Sequence, residues 1–274
     1  MPWRRFKDGW RAEGGGRELI VLALPLILSS SFWTLQVTID RVLLARYNSD
    51  AVGAAWVAVL IFWTLFALLQ QTAAYATTFV AQYVGAGRPH RVGPAVWQAL
   101  HFSVVAGLAF LFLAPVAPRL LSVTGHGPAM LELEVAYFQC LCFACLPMLI
   151  VAAVTSFFAG RGDSRTVMWI NAVGFIVNGF LDYLWIFGRW GFPEWGIAGA
   201  GWATVAGSWA SAILGLALLW RPPYRKQFCT LSAWRWESDL FHRLMRYGLP
   251  SGVQWALDGL AFSFFTIMVE WLGR

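Results

Sequence analysis

"VNGFLDYLWIFG" covers Val177–Gly188 and sets an amide and a carboxylate among side chains that otherwise suit hydrocarbon. An Asp at the centre of a membrane helix costs about 2.5–3.5 kcal/mol on insertion scales. Asn178 and Asp182 stand four residues apart, so on a helix they share one face. A polar face kept at that cost inside an apolar segment points to a bundle interior rather than to lipid.

The rest of the chain agrees with a membrane setting. Of 274 residues, 59% are hydrophobic and 12% charged, where a soluble domain carries about 25% charged. Mean hydropathy is +0.60. The seventeen Trp fit a protein whose indole rings gather at two membrane interfaces. The net charge of +6 is spread among several connections, which excludes a nucleic-acid patch. Cys140, Cys142 and Cys145 lie in the apolar run "CLCFAC" with no His nearby, and read as small packing residues rather than a metal cluster or disulfide framework. The apolar run that follows the N-terminal basic segment is too long, and too interrupted by Asp40, for a cleaved signal peptide.

A spanning helix needs about 20 apolar residues. Seven segments qualify: Leu19–Ala45, Val52–Val84, Val92–Ala114, Met130–Phe158, Val167–Phe187, Ile197–Trp220 and Leu244–Leu272. The connections carry Gly and Pro breakers, as in "GAGRPHRVG" and "GRWGFPEWG". Fifteen of the twenty Arg and Lys fall before the first segment or around connections two–three, four–five and six–seven, Arg246 at the start of the last segment included. The positive-inside rule then puts those connections and the N-terminus in the cytoplasm. In "GRGDSR" (Gly160–Arg165), the GxGD of intramembrane aspartyl proteases and the RGDS of adhesion motifs both occur, but Asp163 sits between two arginines in a cytoplasmic turn, so neither reading applies. His101, alone in the third span, reads as a packed or interfacial residue. Gly199, Ala203, Gly207, Ser211 and Gly215 recur every fourth residue, a small-residue stripe that lets a membrane helix approach its neighbour.

This topology places the intramembrane polar groups by depth. Asp40 and Asp182 each come five residues before the outer end of their spans, with Asn178 a turn deeper. Tyr137 and Thr204 each come seven residues into spans that start outside. At 1.5 Å per residue all five lie roughly 8–14 Å below the outer helix ends. The expectation is one polar site built from Asp40, Asn178 and Asp182, with Tyr137 and Thr204 as neighbours. Such oxygens can exchange a proton, or Asp40, Asn178, Asp182 and Thr204 can coordinate Na⁺, and occupancy of the site can bias a helix between two packings.

"LALPLILSSSFWTLQVTIDRVLLARY", "FVAQYVGAGRPHRV", "FFAGRGDSRTVMWINAVGFIVNGFLDYLWIFG" and "GFPEWGIAGAGWATVAGSW" together resemble the multidrug and toxic compound extrusion (MATE) family over most of residues 17–220. The resemblance implies an all-α polytopic membrane protein: a six-helix lobe at 19–220, a cytoplasmic N-terminal segment at 1–18, an inter-lobe connection at 221–243, and at 244–274 the first helix of a second lobe that the chain cuts short. It further implies that Asp40, Asn178 and Asp182 form the cation or proton coupling site, and that Asp258 stands where some members place an acid of the second lobe. "GRELIVLALP" and "FHRLMRYGLP", ending at Pro25 and Pro250, introduce spans one and seven in the same direction, as two lobes related by an axis along the membrane normal would require.

The function expected is export of drugs or other cationic amphiphiles across the plasma membrane of a bacterium or archaeon, coupled to protons or Na⁺. No cofactor is expected beyond that ion, and the partners are the bilayer, the transported compound and a second lobe in the complete protein. Two other expectations stand beside it: flipping of a lipid-linked oligosaccharide, which wants a cationic cavity, and a non-transporting half-length subunit. No nucleophile–base pair, metal-ligand spacing or phosphate loop suggests an enzyme.

Overall fold

The structure, a computed structural model, describes residues 16–272. The N-terminal segment expected in the cytoplasm therefore lies outside the described residues up to residue 15, as do the last two residues of the expected 244–274 helix. Ten α-helices follow one another among the described residues: α1 (Gly16–Tyr47), α2 (Ser49–Ala74), α3 (Ala76–Gly85), α4 (Val92–Leu111), α5 (Ala117–Leu121), α6 (Pro128–Gly160), α7 (Ser164–Ile186), α8 (Gly196–Leu219), α9 (Pro222–Phe228) and α10 (Ser238–Leu272).

Five stretches are long and apolar enough to cross a membrane: Ser49–Gly85, Pro89–Leu111, Pro128–Gly160, Ser164–Ile186 and Gly196–Leu219. They match the second to sixth expected spans. The first and seventh correspond to α1 and α10, of 32 and 35 residues. At 1.5 Å per residue these run about 48 and 53 Å, beyond the thickness of a hydrocarbon core. Pro25 and Pro250 both lie inside their helices.

Helix ends have local causes. Asn48 caps α2 by accepting from the Asp50 N–H at 2.9 Å. Asp163 caps α7, accepting from the Thr166 N–H at 3.2 Å and its hydroxyl at 2.7 Å. The acid of the GxGD look-alike is thus a helix cap. Pro128 and Pro222 open α6 and α9, where a missing N–H costs nothing. Two expectations are refined. The second span is two helices, α2 and α3, meeting at Tyr75. The 221–243 connection is not a plain linker, since it contains α9 and the first turns of α10.

The long helix α6 is the axle, packed by α2, α4 and α8; α8 also packs along α7, α7 along α1, and α10 along α2. The end where α1 and α7 finish and α6 and α8 begin is called the outer end below. One apolar core, with Phe62, Phe110, Phe138 and Ile186, fills the outer half. A second, with Phe79, Val96, Phe158 and Leu219, fills the inner half. Cys140, Cys142 and Cys145 are free thiols buried on α6.

Candidate functional site

Two stripes make the site. On α1, Ser29, Trp33, Gln36 and Asp40 are spaced four, three and four apart, one line down a helix. On α7, Asn171, Asn178 and Asp182 follow the same rule with gaps of seven and four. The two helices pack together. Phe32 stacks on Phe175 with ring centres 5.4 Å apart, and the Asn171 amide donates to the Ser29 hydroxyl at 2.6 Å.

The small-residue stripe of α8 brings the third wall. A Cβ on Gly207 would stand 2.7 Å from the Gly174 carbonyl oxygen and 2.9 Å from Asn178 Cβ. Only bare backbone lets α8 lie this close to α7. One turn further in, the Ser211 hydroxyl donates to the Ile170 carbonyl at 2.8 Å, satisfying a buried polar group across the same seam.

At the outer ends of these stripes all five sequence-selected residues come together, and all are buried: Asp40, Tyr137, Asn178, Asp182 and Thr204. Asp182 has no exposed surface. The amide of Asn178, in the orientation that satisfies both its ends, donates to Asp182 Oδ2 at 3.1 Å and accepts from the Thr204 N–H at 3.2 Å. Tyr137 lies beside Thr204, both lining the same small cavity. The Thr204 hydroxyl also reaches the Ala200 carbonyl at 3.2 Å. The carboxyl groups of Asp40 and Asp182 face each other at close quarters, the nearest charged neighbour of each being the other's side chain or, for Asp40, Arg41. An ionised carboxylate has no donor, so two facing carboxyl groups can hydrogen-bond to each other only while one of them carries a proton. Asp182 Oδ1 has no further partner. Arg41, next to Asp40 in sequence, lays its guanidinium over the Trp56 ring at 4.1 Å and makes no ion pair with Asp40 among the described residues.

Two cavities adjoin this cluster. The smaller, about 30 Å³, is lined by Asp40, Tyr137 and Thr204 together with Gln36, Trp63 and Met148. That is room for about one water. The larger, about 350 Å³, lies toward the inner end between α1, α2, α6, α7 and α8. Trp33, Gln36, Trp63 and Met148 line both. The Trp33 and Trp63 rings, 5.4 Å apart, stand in the wall the two cavities share. The larger cavity mixes aromatic faces (Phe32, Phe175) with neutral polar groups (Gln70, Thr155, Asn171, Ser208), and among the described residues no charged one lines it.

Asp258 is not part of this arrangement; it is exposed on α10. Groups of three or more His, Cys, Asp or Glu able to hold a metal ion do not occur among the described residues. Sequence reasoning did not pick out Gln36 and Asn171, although their spacing from Asp40 and Asn178 was there to read. It also passed over Glu134, which is wholly buried near the outer start of α6 and held by His126 Nδ1 at 2.6 Å and by the Thr124 hydroxyl at 3.4 Å. His101 packs between the rings of Trp97 and Trp236.

Comparison with known proteins gives a consistent result. The MatE family profile matches residues 25–184. A probable multidrug resistance protein NorM of Thermotoga maritima is 26% identical over 240 residues, 87% of this chain and 51% of that protein. Its counterpart from Xanthomonas axonopodis pv. citri is 28% identical over 263 residues, 92% of this chain and 56% of that protein. A crystal structure of MATE in complex with MaD3S superposes with a TM-score of 0.80 at 20% identity, covering 95% of this chain and 57% of that one. The chain spans about half the length of the curated relatives it matches.

Proposed function

The chain belongs to the MatE family, and from that premise we propose that it is the first lobe of a multidrug exporter in which Asp40 and Asp182 carry the coupling ion. The relatives are named as multidrug resistance proteins. The observation that carries the reading is the pairing of two buried carboxyl groups, Asp40 and Asp182, inside the helix bundle, beside a void of about one water. A shared proton keeps such a pair from carrying two charges. Its loss leaves two like charges in contact, which must separate or take up water, and α1 is the element free to do so because it packs mainly on α7. Protonation therefore biases one packing of α1 over another, the minimum a coupled transporter requires.

The proton is favoured over Na⁺ as the coupling ion. A bound Na⁺ wants several oxygens turned toward one point, whereas here Asn178 turns its oxygen to the Thr204 N–H and its amide nitrogen to Asp182. The larger cavity supplies the chemistry for an amphiphilic cation: aromatic faces for an apolar body and neutral hydrogen-bonding groups, with the acids beyond its outer wall. Among the described residues its lining is neutral, which suits an amphiphilic cation better than a lipid-linked sugar phosphate. On this reading the complete protein has a second lobe, resides in the plasma membrane, and has its N-terminus in the cytoplasm, as the Arg and Lys distribution requires.

The test is drug efflux by the full-length protein in proteoliposomes, driven in turn by an imposed pH gradient and an imposed Na⁺ gradient. Efflux driven by pH alone, and abolished in Asp182→Asn, is the expected outcome. Efflux that follows Na⁺ and ignores pH would assign the site to the metal ion.

A further inference from the structure

Residues 220–237, the stretch between α8 and α10, are fastened to the lobe at several points. The face of α9 made by Tyr224 and Phe228, four residues apart, packs on Phe157, with ring centres 5.4 and 5.3 Å away. The Arg161 guanidinium lies over all three rings at 4.5, 4.5 and 4.7 Å. The non-helical run after α9 lies along the first three turns of α4. Trp97 Nε1 donates to the Thr230 carbonyl at 2.7 Å, and Gln98 donates to the Arg235 carbonyl at 3.2 Å. The Thr230 hydroxyl returns to the Leu219 carbonyl at 2.9 Å, and Arg91 pairs with Glu237 at 3.1 Å. Gly93 of α4 has no room for a Cβ against the backbone of Phe228 and Cys229.

Irregular backbone at membrane depth is tolerated only when its polar groups find partners in the protein, and two carbonyls of this strap are met by α4 side chains. His101, ten positions into α4, touches Trp236, so the strap extends roughly 13 Å along that helix. That length spans the interfacial zone of a bilayer.

The outward side of the strap has a different character. Trp220, Trp234 and Trp236 are 40%, 62% and 53% exposed. Arg221, just before α9, and Arg225 and Lys226 within it are exposed, as is Arg235. Among the described residues none of these four cations has an ion-pair partner, and the nearby Glu237 is already engaged by Arg91. Exposed indoles flanking unpaired cations, on a segment pinned at interfacial depth, complement anionic headgroups.

We propose that this strap is a binding surface for anionic phospholipid headgroups of the adjoining leaflet. Arg221, Arg225 and Lys226 meet the phosphodiester, and the three tryptophans sit beside it at the acyl boundary. The strap is fixed to α4 and α6, so a lipid held there bears on the lobe itself rather than on a loose tether.

The experiment places the chain in nanodiscs of equal parts phosphatidylglycerol and phosphatidylcholine and measures the ratio of the two lipids retained by native mass spectrometry. Both leaflets of a nanodisc are alike, so the result depends neither on orientation nor on transport. The wild-type chain should enrich phosphatidylglycerol. The double variant R225Q/K226Q should lose about fivefold of that enrichment per cation removed, a basic residue at an anionic surface being worth about 1 kcal/mol. The matched control R119Q/R189Q changes two exposed arginines at the outer end and should keep the wild-type ratio. Equal enrichment in wild type and R225Q/K226Q, or an equal loss in the control, overturns the proposal. So does competition by soluble glycerophosphoglycerol at the lipid's own concentration, which would assign the patch to a free phosphate ester. Capture of soluble polyglutamate by discs of phosphatidylcholine alone would assign it to an acidic protein and would likewise overturn it.

Discussion

Two buried carboxylate settings stand near the outer end of this lobe and have opposite partners. Glu134 is met by a histidine at 2.6 Å and by the Thr124 hydroxyl. Asp182 is met by an amide and by a second acid, Asp40. A carboxylate facing an imidazole has a donor in its partner and needs no proton of its own to be satisfied. A carboxylate facing another carboxylate is satisfied only through a proton that can leave. Equal burial therefore gives a clamp in one place and a switch in the other, and the difference lies in the partner.

That contrast can be broken by experiment. The largest effect belongs to Asp182→Asn in the full-length protein. The amide keeps the shape and can still donate to Asp40, so the fold should persist while pH-driven efflux falls to the level of empty liposomes. Transport equal to wild type, measured with a fluorescent cationic substrate, would remove Asp182 from the coupling role. His126→Ala tests the clamp. It leaves Glu134 buried without its main partner and should cost about 1–3 kcal/mol of stability, read as a lower thermal unfolding midpoint, with the pH profile of transport unchanged. A shifted profile instead would show that both carboxylates are switches.

Gly207→Ala sharpens the comparison from the side of packing. Its methyl would stand 2.9 Å from Asn178 Cβ and 2.7 Å from the Gly174 carbonyl oxygen. Overpacking at such a seam costs about 1–3 kcal/mol, and here it also moves Thr204 away from Asn178. Reduced efflux together with lower stability is expected, against the efflux loss alone of Asp182→Asn. The smallest effect is assigned to Asn171→Ala in the larger cavity. It removes the 2.6 Å bond to Ser29, and its cost, about 0.5–1.5 kcal/mol, should alter KM for some substrates and not others while the response to pH stays as in wild type. A changed pH response would extend the switch inward to that cavity.

Much of this was legible in the residues. Helix spans follow from apolar length, and their ends from Asn48, Asp163 and Pro128, because capping and proline chemistry act within a few residues. The break at Tyr75 was not legible: no Gly or Pro marks it, and the preceding turn carries on as if unbroken. The depth of Asp40, Tyr137, Asn178, Asp182 and Thr204 could be counted, since a helix converts residue number into height at a fixed rise. Glu134 carries no signal of its burial in the sequence near it, because the groups that hold it, His126 and Thr124, come from the preceding loop. The 221–243 stretch read as a linker for a similar reason. Its anchors, Trp97, Gln98 and Arg161, lie far away in the chain.

By itself, then, the sequence determined the bundle, the height of its polar residues, and the stripes of α1, α7 and α8 that would have to face inward. Each of these is a local or periodic property, set by side-chain polarity repeating along a helix of known pitch. Only the tertiary structure decided which polar groups touch: that Asp40 meets Asp182 rather than Arg41, that Asn178 links Asp182 to Thr204, and that Glu134 finds a base. Contacts between helices depend on their rotation and separation. Those are fixed by close approach at residues such as Gly174 and Gly207, where the absence of a side chain sets the distance.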